Sequence, residues 1–324
     1  MIVRWGLDEL PRLLDELDVA RPFLVASDRR STLELGLEPT GRWSEVPSHR
    51  IDELAARTAA ADADGLLALG GGSTIDLAKA VSAATGLPQI SIPTTYSGSE
   101  WTTFFGVRDR GRRLKGGGAG AHLAAIVYDL RLTFDLPRAE TAGTALNALA
   151  HCAEALYVRG RNAHGDDEAL AGAALIGRAL PEVVRRPLDA TARRGLLEGA
   201  MHAGAALASA GLGLAHAMAQ ALGGTFGLPH GAMNALCLPP ALRFNLPVAG
   251  EAIARFGRAM DTRDPIAKTE ELAALGDFGR LRDYGVSEAD LDDVAAAALA
   301  RAGARANPRA GSANDVAQLL RSIW

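Results

Sequence analysis

The sequence predicts an α/β domain followed by an all-helical domain. In the first part, short apolar segments alternate with amphipathic ones, which is typical of a parallel sheet covered by helices. From about Pro137, helical periodicity runs almost unbroken to the C-terminus. We therefore expect an α/β domain over residues 1–138 and a helical domain over residues 139–324. The first domain should contain strands at 23–26, 65–69, 89–92 and 124–128, and helices at 51–61 and 73–84.

Composition agrees with a two-domain globular protein. The chain has 324 residues, of which 48% are hydrophobic, and domains average about 150 residues. The net charge of −4 argues against binding to nucleic acid or to an acidic membrane surface. Both cysteines, Cys152 and Cys237, lie in apolar runs, so we expect two buried thiols and a cytoplasmic protein.

Two segments resemble targeting or membrane elements but are better explained otherwise. The first residues, MIVRWGLDELPRLL, are amphipathic and carry acids, unlike a signal peptide. Residues 204–224 are uncharged and as long as a membrane span, but they are built on Ala and Gly and contain His216 and Gln220. We expect this segment to be one buried core helix.

The strongest local motif is the glycine turn in LLALGGGSTIDLAKA. An apolar strand ends at Leu69, the glycines 70–72 follow, and a helix begins near Ser73. Glycines allow the backbone to approach a ligand closely, and the helix N-terminus attracts a phosphate. The pattern is not GxGxxG, so a plain strand–helix turn remains the alternative. Asp76 lies in the first turns of the helix, where it can face its start or the other domain.

Two further segments are candidates for cofactor contacts. Residues 92–100, IPTTYSGSE, follow a predicted strand and are rich in hydroxyls that suit a phosphate or ribose. The alternative is a solvated loop with Ser/Thr turns. Residues 115–120, KGGGAG, follow no convincing strand, which favours a flexible hairpin or lid edge over a phosphate site.

Asn147, His151, His216 and His230 form the most informative set in the helical part. Asn147 and His151 are four residues apart, so one helix presents both on the same face. His216 lies in GLGLAHAMAQALGG, and His230 follows in GLPHG. Taken singly, each histidine fits a core residue bonded to backbone.

Several motifs together resemble the iron-containing alcohol dehydrogenase superfamily. GGGSTIDLAKA, IPTTYSGSE, the helix of Asn147, GLAHAMAQALGGTFGLPHG and the terminal NPRAGSANDVAQLLRSIW occur in the order typical of that superfamily. Within it, the chain looks most like the maleylacetate reductases, because of GGTFGLPH, LNALAHCAEALY and the NPR-plus-helix ending. The resemblance extends from about Gly6 to Trp324.

This resemblance implies a Rossmann-like NAD(P)-binding domain, a helical domain and an active site in the cleft between them, as in the dehydroquinate synthase-like architecture. It also implies hydride transfer to a small molecule and a homodimer. The implied cofactor contacts are Asp28, Gly71, Gly72, Ser73, Asp76, Thr94, Thr95 and Ser99. A carboxylate at Asp28 would bind the adenosine ribose and favour NADH, whereas Arg29 and Arg30 suit a 2′-phosphate.

The resemblance also implies a metal position that is altered here. Metal-dependent members use one Asp and three His, at the positions of Asn147, His151, His216 and His230. An amide oxygen is a weak neutral ligand for Fe²⁺ or Zn²⁺, and maleylacetate reductases with Asn at this position are implied to work without a metal. Gln220 replaces a histidine that is thought to relay a proton. His151, His216 and His230 would then bind substrate carboxylates or handle protons.

Three hypotheses follow. The first is an NAD(P)H-dependent reductase of the maleylacetate reductase type, acting on a small keto or enoyl acid or a related carbonyl compound. The second is an alcohol or aldehyde dehydrogenase in which the histidines hold Fe²⁺ or Zn²⁺. The third is a non-redox biosynthetic enzyme on the same fold.

Overall fold

The computed structural model describes residues 1–30 and 32–324. The chain divides into two compact units. The first unit comprises Met1–Thr95 and Ser99–Asp135, and the second comprises Tyr96–Gly98 and Leu136–Trp324. The short piece Tyr96–Gly98 therefore belongs to the helical unit, although its neighbours in sequence belong to the α/β unit. The domain boundary at residue 138 stays a prediction.

The first unit is built on a six-stranded parallel sheet. Its order is β1-β8-β5-β4-β2-β3. The strands are β1 Ile2–Trp5, β2 Pro22–Ala26, β3 Gly41–Trp43, β4 Gly65–Gly70, β5 Gln89–Pro93 and β8 Leu123–Tyr128. The antiparallel pair β6 Phe105–Arg108 and β7 Leu114–Gly118 forms a separate hairpin. The four predicted strands are present, whereas β1 and β3 were not predicted.

Both faces of the parallel sheet are covered. Alternate residues of one strand point to opposite faces, and in β4 Leu67 and Leu69 enter one core cluster while Leu66 and Ala68 enter another. The first cluster packs against helix α1 (Leu10–Glu16). The second packs against α2 (Ile51–Ala60) and α3 (Gly72–Thr85). The continuous apolar character of β4 agrees with its burial on both faces.

The strand order reverses between β2 and β4. The chain passes from β2 outward to the edge strand β3, then returns to β4 and continues to β5 on the other side. Open α/β sheets bind ligands at the carboxyl ends of the strands where the order reverses. Residues that follow β2 and β4, including Asp28 and Gly71, therefore lie at the expected ligand edge.

The second unit is helical. In the described residues its long helices are α4 Arg138–Ala155, α5 Ala163–Arg185, α6 Ala190–Ala210, α7 Leu214–Phe226 and α8 His230–Ala259. The shorter helices are α9 Pro265–Ala274, α10 Leu291–Leu299, α11 Ala302–Ala306 and α12 Ala313–Ser322. The NPR ending is tied to α8, since Asn307 and Asn245 exchange amide hydrogen bonds of 2.7 and 2.9 Å.

The prediction of one core helix over residues 204–224 is wrong. This segment belongs to α6 and α7, which are bent by 100° at the break between them. Gly211 ends α6 with a φ of +90°, a conformation that suits glycine and not a continuing helix. Prolines mark helix ends poorly here, because Pro181, Pro239 and Pro240 lie inside helices. The break in α8 is at Ala249, which has non-helical backbone angles.

Within the described residues, no single helix has both the length and the apolar composition to cross a membrane, and α6 with α7 meets that test only as a bent pair. Cys152 and Cys237 are buried free thiols, as predicted. Burial raises the pKa of both thiols above their usual range.

Candidate functional site

The predicted cofactor residues follow the ends of three neighbouring strands. Asp28 is exposed after β2, Gly71 and Gly72 follow β4, and Thr94 follows β5. The Thr94 N–H donates to Gly70 O at 3.0 Å, which joins two of these strand ends. The α/β unit thus gathers Asp28, Gly71, Gly72, Ser73, Thr94 and Thr95 at one edge of its sheet.

The glycine turn fits a pyrophosphate. Gly71 is the N-cap of α3 and brings no side chain to the helix N-terminus, which leaves room for an anion there. A Cβ at Gly71 would lie 2.9 Å from Thr95 Cγ2, so a larger residue would close this space. Thr95 Oγ1 is buried and has no hydrogen-bond partner among the described residues. A cofactor oxygen at this turn would satisfy it.

Asp76 and Ser99 are bound to each other. Ser99 Oγ donates to Asp76 Oδ1 at 2.5 Å, and the Gly106 N–H donates to Asp76 Oδ2 at 3.1 Å. The fully buried Lys79 ammonium lies 2.8 Å from Asp76 Oδ1 and donates to Phe104 O. Asp76 therefore anchors the hairpin of β6 and β7 to α3. Its direct contact with a cofactor, like that of Ser99, stays a prediction.

In the helical unit, Asn147 stands at the centre of a buried hydrogen-bond network. Its Nδ2 donates to Ser97 O at 2.9 Å, and its Oδ1 accepts from Asn234 Nδ2 at 2.8 Å. The Asn234 Nδ2 also donates to His230 O at 3.2 Å. Because main-chain carbonyls only accept, the contacts with Ser97 O and His230 O fix the orientation of both amides.

His216 lies between two acceptors. Its Nδ1 is 2.7 Å from Glu154 Oε2, and its Nε2 is 3.2 Å from Asn147 Oδ1. The amide orientation of Asn147 makes its Oδ1 an acceptor, so both ring nitrogens of His216 act as donors. The ring is therefore held between a carboxylate and an amide oxygen. His216 and Glu154 are both buried.

His151 packs flat on His216, with ring centroids 4.5 Å apart and planes 15° apart. Burial, and then the charges of His216 and His230, lower the pKa of His151 well below its usual range. A neutral His151 is a poor acid at pH 7. Its Nδ1 is buried with no hydrogen-bond partner in the described part of the chain.

His230 opens α8 and is half-buried. Its ring centroid is 5.9 Å from that of His216, and its Nε2 is 3.0 Å from Asn234 Nδ2. A Cβ at Gly231 would lie 2.5 Å from the backbone of Gly143, so glycine at both positions lets the first turn of α8 lie directly on α4. The structure thus brings Asn147, His151, His216 and His230 together.

These four residues do not fit a metal ion as arranged. The Asn147 Oδ1 accepts from Asn234, and the His216 Nε2 is turned toward that same oxygen as a donor. A metal ligand needs a free lone pair on each of these atoms. Among the described residues, no group of three His, Cys, Asp or Glu side chains is placed to share a metal ion. Gln220, one turn after His216 on α7, adds no titratable group.

The sequence analysis did not single out Glu154 or Asn234 for this site, and it considered Ser97 only as a possible cofactor contact. Glu154 had a usable signal, because Asn147, His151 and Glu154 have the i, i+4, i+7 spacing of one helix face. A carboxylate on an otherwise apolar face is a buried polar group that requires partners. Ser97 and Asn234 gave no comparable signal, since their contacts depend on how separate segments pack.

Gly98 is expected to be required for this packing. It has a φ of +73°, and a Cβ there would lie 3.2 Å from Gly204 Cα and 3.5 Å from His151 Nδ1. We expect Gly98→Ala to lower the free energy of unfolding by about 2 kcal/mol, since the left-handed conformation alone costs about 1–2 kcal/mol. Urea unfolding followed by circular dichroism measures this.

Gly86→Ala is the matched control for Gly98. Gly86 has a φ of +76° with no atom within 4 Å of a Cβ, so Gly86→Ala measures only the cost of placing alanine in the left-handed conformation. Equal losses in stability for the two variants would show that the close approach at Gly98 contributes nothing.

Two family models together match nearly the whole chain. The model of iron-containing alcohol dehydrogenase matches residues 4–127. The model of the C-terminal region of the Fe-containing alcohol dehydrogenase family matches residues 141–324. The chain belongs to the iron-containing alcohol dehydrogenase family. Its members are NAD(P)-dependent oxidoreductases, and this chain is one of them.

Relatives within the family agree with the predicted subgroup. A maleylacetate reductase of Sphingobium indicum is 36% identical over 332 residues, which cover 98% of this chain and 94% of the relative. The crystal structure of a maleylacetate reductase from Agrobacterium tumefaciens superposes with a TM-score of 0.90 at 30% identity, covering 100% of this chain and 95% of that one. An iron-containing alcohol dehydrogenase from Corynebacterium glutamicum gives 0.92 at 30% identity, covering 100% and 94%. The predicted family and fold class are confirmed.

Proposed function

We propose that this protein is an NAD(P)H-dependent reductase of the maleylacetate reductase type, which transfers hydride to a small keto or enoyl acid. The observation that carries the proposal is the hydrogen-bond network of Asn147. It holds His216 as a double donor between Glu154 and an amide oxygen, an arrangement that leaves no ring lone pair for a metal. Relatives named maleylacetate reductase over nearly the full chain support the substrate class.

The three site histidines would have different roles in the reaction, because their surroundings differ. We assign to the ring of His216 the stabilisation of a substrate carboxylate or a developing enolate. His151 is held neutral by burial and packs against His216 as an aromatic wall. His230 is the half-buried member of the three, so we assign it the proton transfer. When bound, NADH or NADPH supplies the hydride.

Two buried polar atoms on this network are available to a substrate. Ser97 Oγ and Asn234 Oδ1 have no hydrogen-bond partner among the described residues. The first is a donor or acceptor, and the second is an acceptor. Buried groups of this kind usually acquire a partner, and an acid with carboxyl and keto groups offers both kinds.

The direct test is NADH oxidation with maleylacetate in buffer that contains a chelator. Turnover is expected, because no proposed step uses a metal. The absence of turnover with either cofactor would reject this substrate. Elemental analysis of protein purified without chelator tests the metal-dependent alternative, and a stoichiometric metal that is required for turnover would favour it.

We also propose a preference for NADH over NADPH. Arg29 Nη2 donates to Asp135 Oδ2 at 2.9 Å, and Arg30 Nη2 donates to Asp135 Oδ1 at 2.5 Å and to Leu132 O. Both guanidinium groups are thus engaged by Asp135, and Asp28, which precedes Arg29 in sequence, is exposed. A lower KM for NADH than for NADPH is the expected result of steady-state assays.

Asp135→Asn tests the cause of that preference. The substitution removes the charge that pairs with both arginines and leaves their contacts with the carbonyls of Asp135 and Leu132. The KM for NADPH should fall by about tenfold, because one charge-assisted hydrogen bond contributes about 1.5–3 kcal/mol. The KM for NADH should stay unchanged. An unchanged KM for NADPH would show that the pairing with Asp135 does not govern the choice of cofactor.

We further propose a cytoplasmic homodimer with no nucleic-acid or membrane partner. The free buried thiols of Cys152 and Cys237 support a reducing compartment. Membership of the family supports the dimer. Light scattering on the purified protein distinguishes a dimer from a monomer.

A further inference from the structure

Glu154 is a buried carboxylate that neither the predicted site nor the proposed proton transfer uses. It lies in the last two turns of α4 and is fully buried. Among the described residues, its ion-pair partner is His216. An ionised carboxylate at such a position must be compensated by donors, and its contacts show where they come from.

Glu154 caps the N-terminus of α7. The N-cap residue Gly213 has no side chain, and Glu154 Oε2 accepts from its N–H at 2.8 Å. Oε1 accepts from the His216 N–H at 3.3 Å. A carboxylate at this end of a helix satisfies free N–H groups and interacts favourably with the helix dipole. Helix α4 thus supplies the cap that α7 lacks.

Glycine at position 213 makes this contact possible. A Cβ there would lie 2.9 Å from Glu154 Oε1 and 3.0 Å from Cδ. Any larger residue would push the carboxylate away from both α7 and the ring of His216. The contact therefore requires a specific pair of residues on two helices.

Helix α4 contacts both ends of the His216 ring. Glu154 meets Nδ1 at 2.7 Å, and Asn147 meets Nε2 at 3.2 Å. These two residues are seven positions apart, which is about two turns of a helix. One rigid helix therefore sets the position and the tilt of the ring, while the Glu154 cap sets the position of the helix that carries it.

We infer that Glu154 is a positioning residue for the reduction. It holds the imidazole of His216 and the start of α7 in one arrangement, so that the ring and the Asn147 amide that it contacts keep a fixed place beside the substrate. This inference rests on the proposed function for its kinetic consequence and on the structure alone for its effect on His216.

The test variant is Glu154→Gln, which keeps the shape of the side chain and removes the charge. We expect the KM for maleylacetate to rise and its kcat/KM to fall by about 10- to 100-fold, as a displaced binding group typically produces. The KM for NADH should not change. A purely structural role would instead lower the amount of active enzyme and leave the KM for maleylacetate unaltered, which would overturn the inference.

A second measurement does not depend on activity. In protein labelled with ¹⁵N-histidine, the ring N–H of His216 is assigned as the resonance that is lost in His216→Gln. We expect this resonance to be downfield and slow to exchange in the wild type, because its proton is buried against a carboxylate. It should move upfield in Glu154→Gln and in Gly213→Ala. An unchanged resonance in both variants would refute the inference, even if maleylacetate proves not to be the substrate.

Glu168→Gln is the matched control. Glu168 Oε2 lies 2.7 Å from His202 Nδ1, the same distance as in the pair of Glu154, but both side chains are partly exposed. This variant should leave the His216 resonance and both KM values as they are in the wild type. If it alters them as Glu154→Gln does, the effect is a general one and Glu154 has no special role.

Discussion

Replacing His216 by alanine is expected to lower the free energy of unfolding by about 3 kcal/mol, the lower end of what breaking a buried charge pair costs. The substitution leaves the fully buried Glu154 carboxylate without its side-chain partner. The N–H groups of Gly213 and residue 216 still bind that carboxylate, which is why we expect the lower end. Urea unfolding at pH 7, followed by circular dichroism, measures the change.

The same substitution should nearly abolish reduction of maleylacetate. If His216 helps to stabilise the developing anion, its loss should reduce kcat/KM by about 100-fold or more, as for a single donor in an oxyanion site. Binding of NADH, measured by fluorescence, should be retained, since the predicted cofactor residues lie in the other unit.

Two further variants show how much of the stability lost in His216→Ala is due to the unpaired Glu154 carboxylate. Glu154→Gln combined with His216→Ala removes the charge that was left unpaired, so the double variant should be more stable than His216→Ala alone. His202→Ala breaks the partly exposed pair with Glu168 and should cost less than about 1 kcal/mol. A cost for His216→Ala as small as this would mean that its pairing with Glu154 contributes little to stability.

Replacing Asn147 by aspartate is expected to weaken the buried hydrogen-bond network and to create a metal site. Aspartate cannot donate to Ser97 O, which now accepts from Asn147 Nδ2 at 2.9 Å. The loss of that buried hydrogen bond should cost about 1–3 kcal/mol. The new carboxylate, with the imidazoles of His151, His216 and His230, would then form the ligand set that Zn²⁺ or Fe²⁺ favours.

Zn²⁺ is therefore expected to stabilise the variant and not the wild type. Addition of Zn²⁺ should raise the melting temperature of Asn147→Asp and leave that of the wild type unchanged. A ligand present at about 100 times its Kd stabilises the folded state by about 2.7 kcal/mol. In chelated buffer, the variant should be less active than the wild type with maleylacetate. Equal stabilisation of both proteins by Zn²⁺ would contradict the metal-free site proposed here.

Asn245→Asp is the control for the chemical change itself. Asn245 is fully buried and exchanges hydrogen bonds with Asn307, so the same substitution also removes an amide donor. It has none of the three site histidines among its hydrogen-bond partners. It should lose stability and show no response to Zn²⁺.

The α/β unit was predicted more fully than the helical one. Strands β2, β4 and β8 are apolar throughout, and β4, β5 and β8 end at or directly before Gly, Pro or Asp, which marks them in the sequence. Strand β3 was not predicted, because it has only three residues, Gly41–Trp43. In the helical unit, the break between α6 and α7 was not predicted, because Ala and Gly continue through it without a change in polarity.

The candidate site shows the same limit. Asn147, His151, His216 and His230 were chosen from the sequence by residue type and spacing, and the structure places them together. The contacts of Asn234 depend on how α8 packs against α4. Those of Ser97 depend on the three-residue segment Tyr96–Gly98, which belongs to the helical unit. Neither arrangement follows from local pattern, because each results from long-range packing.

The two-turn separation of Asn147 and Glu154 also constrains how this chain can change. Many substitutions of the residues between them would preserve both contacts with His216, provided that the helix is kept. Deleting or inserting a single residue would rotate one contact away from the other by about 100°. The length of this stretch of α4 should therefore be far less tolerant of change than most of its side chains.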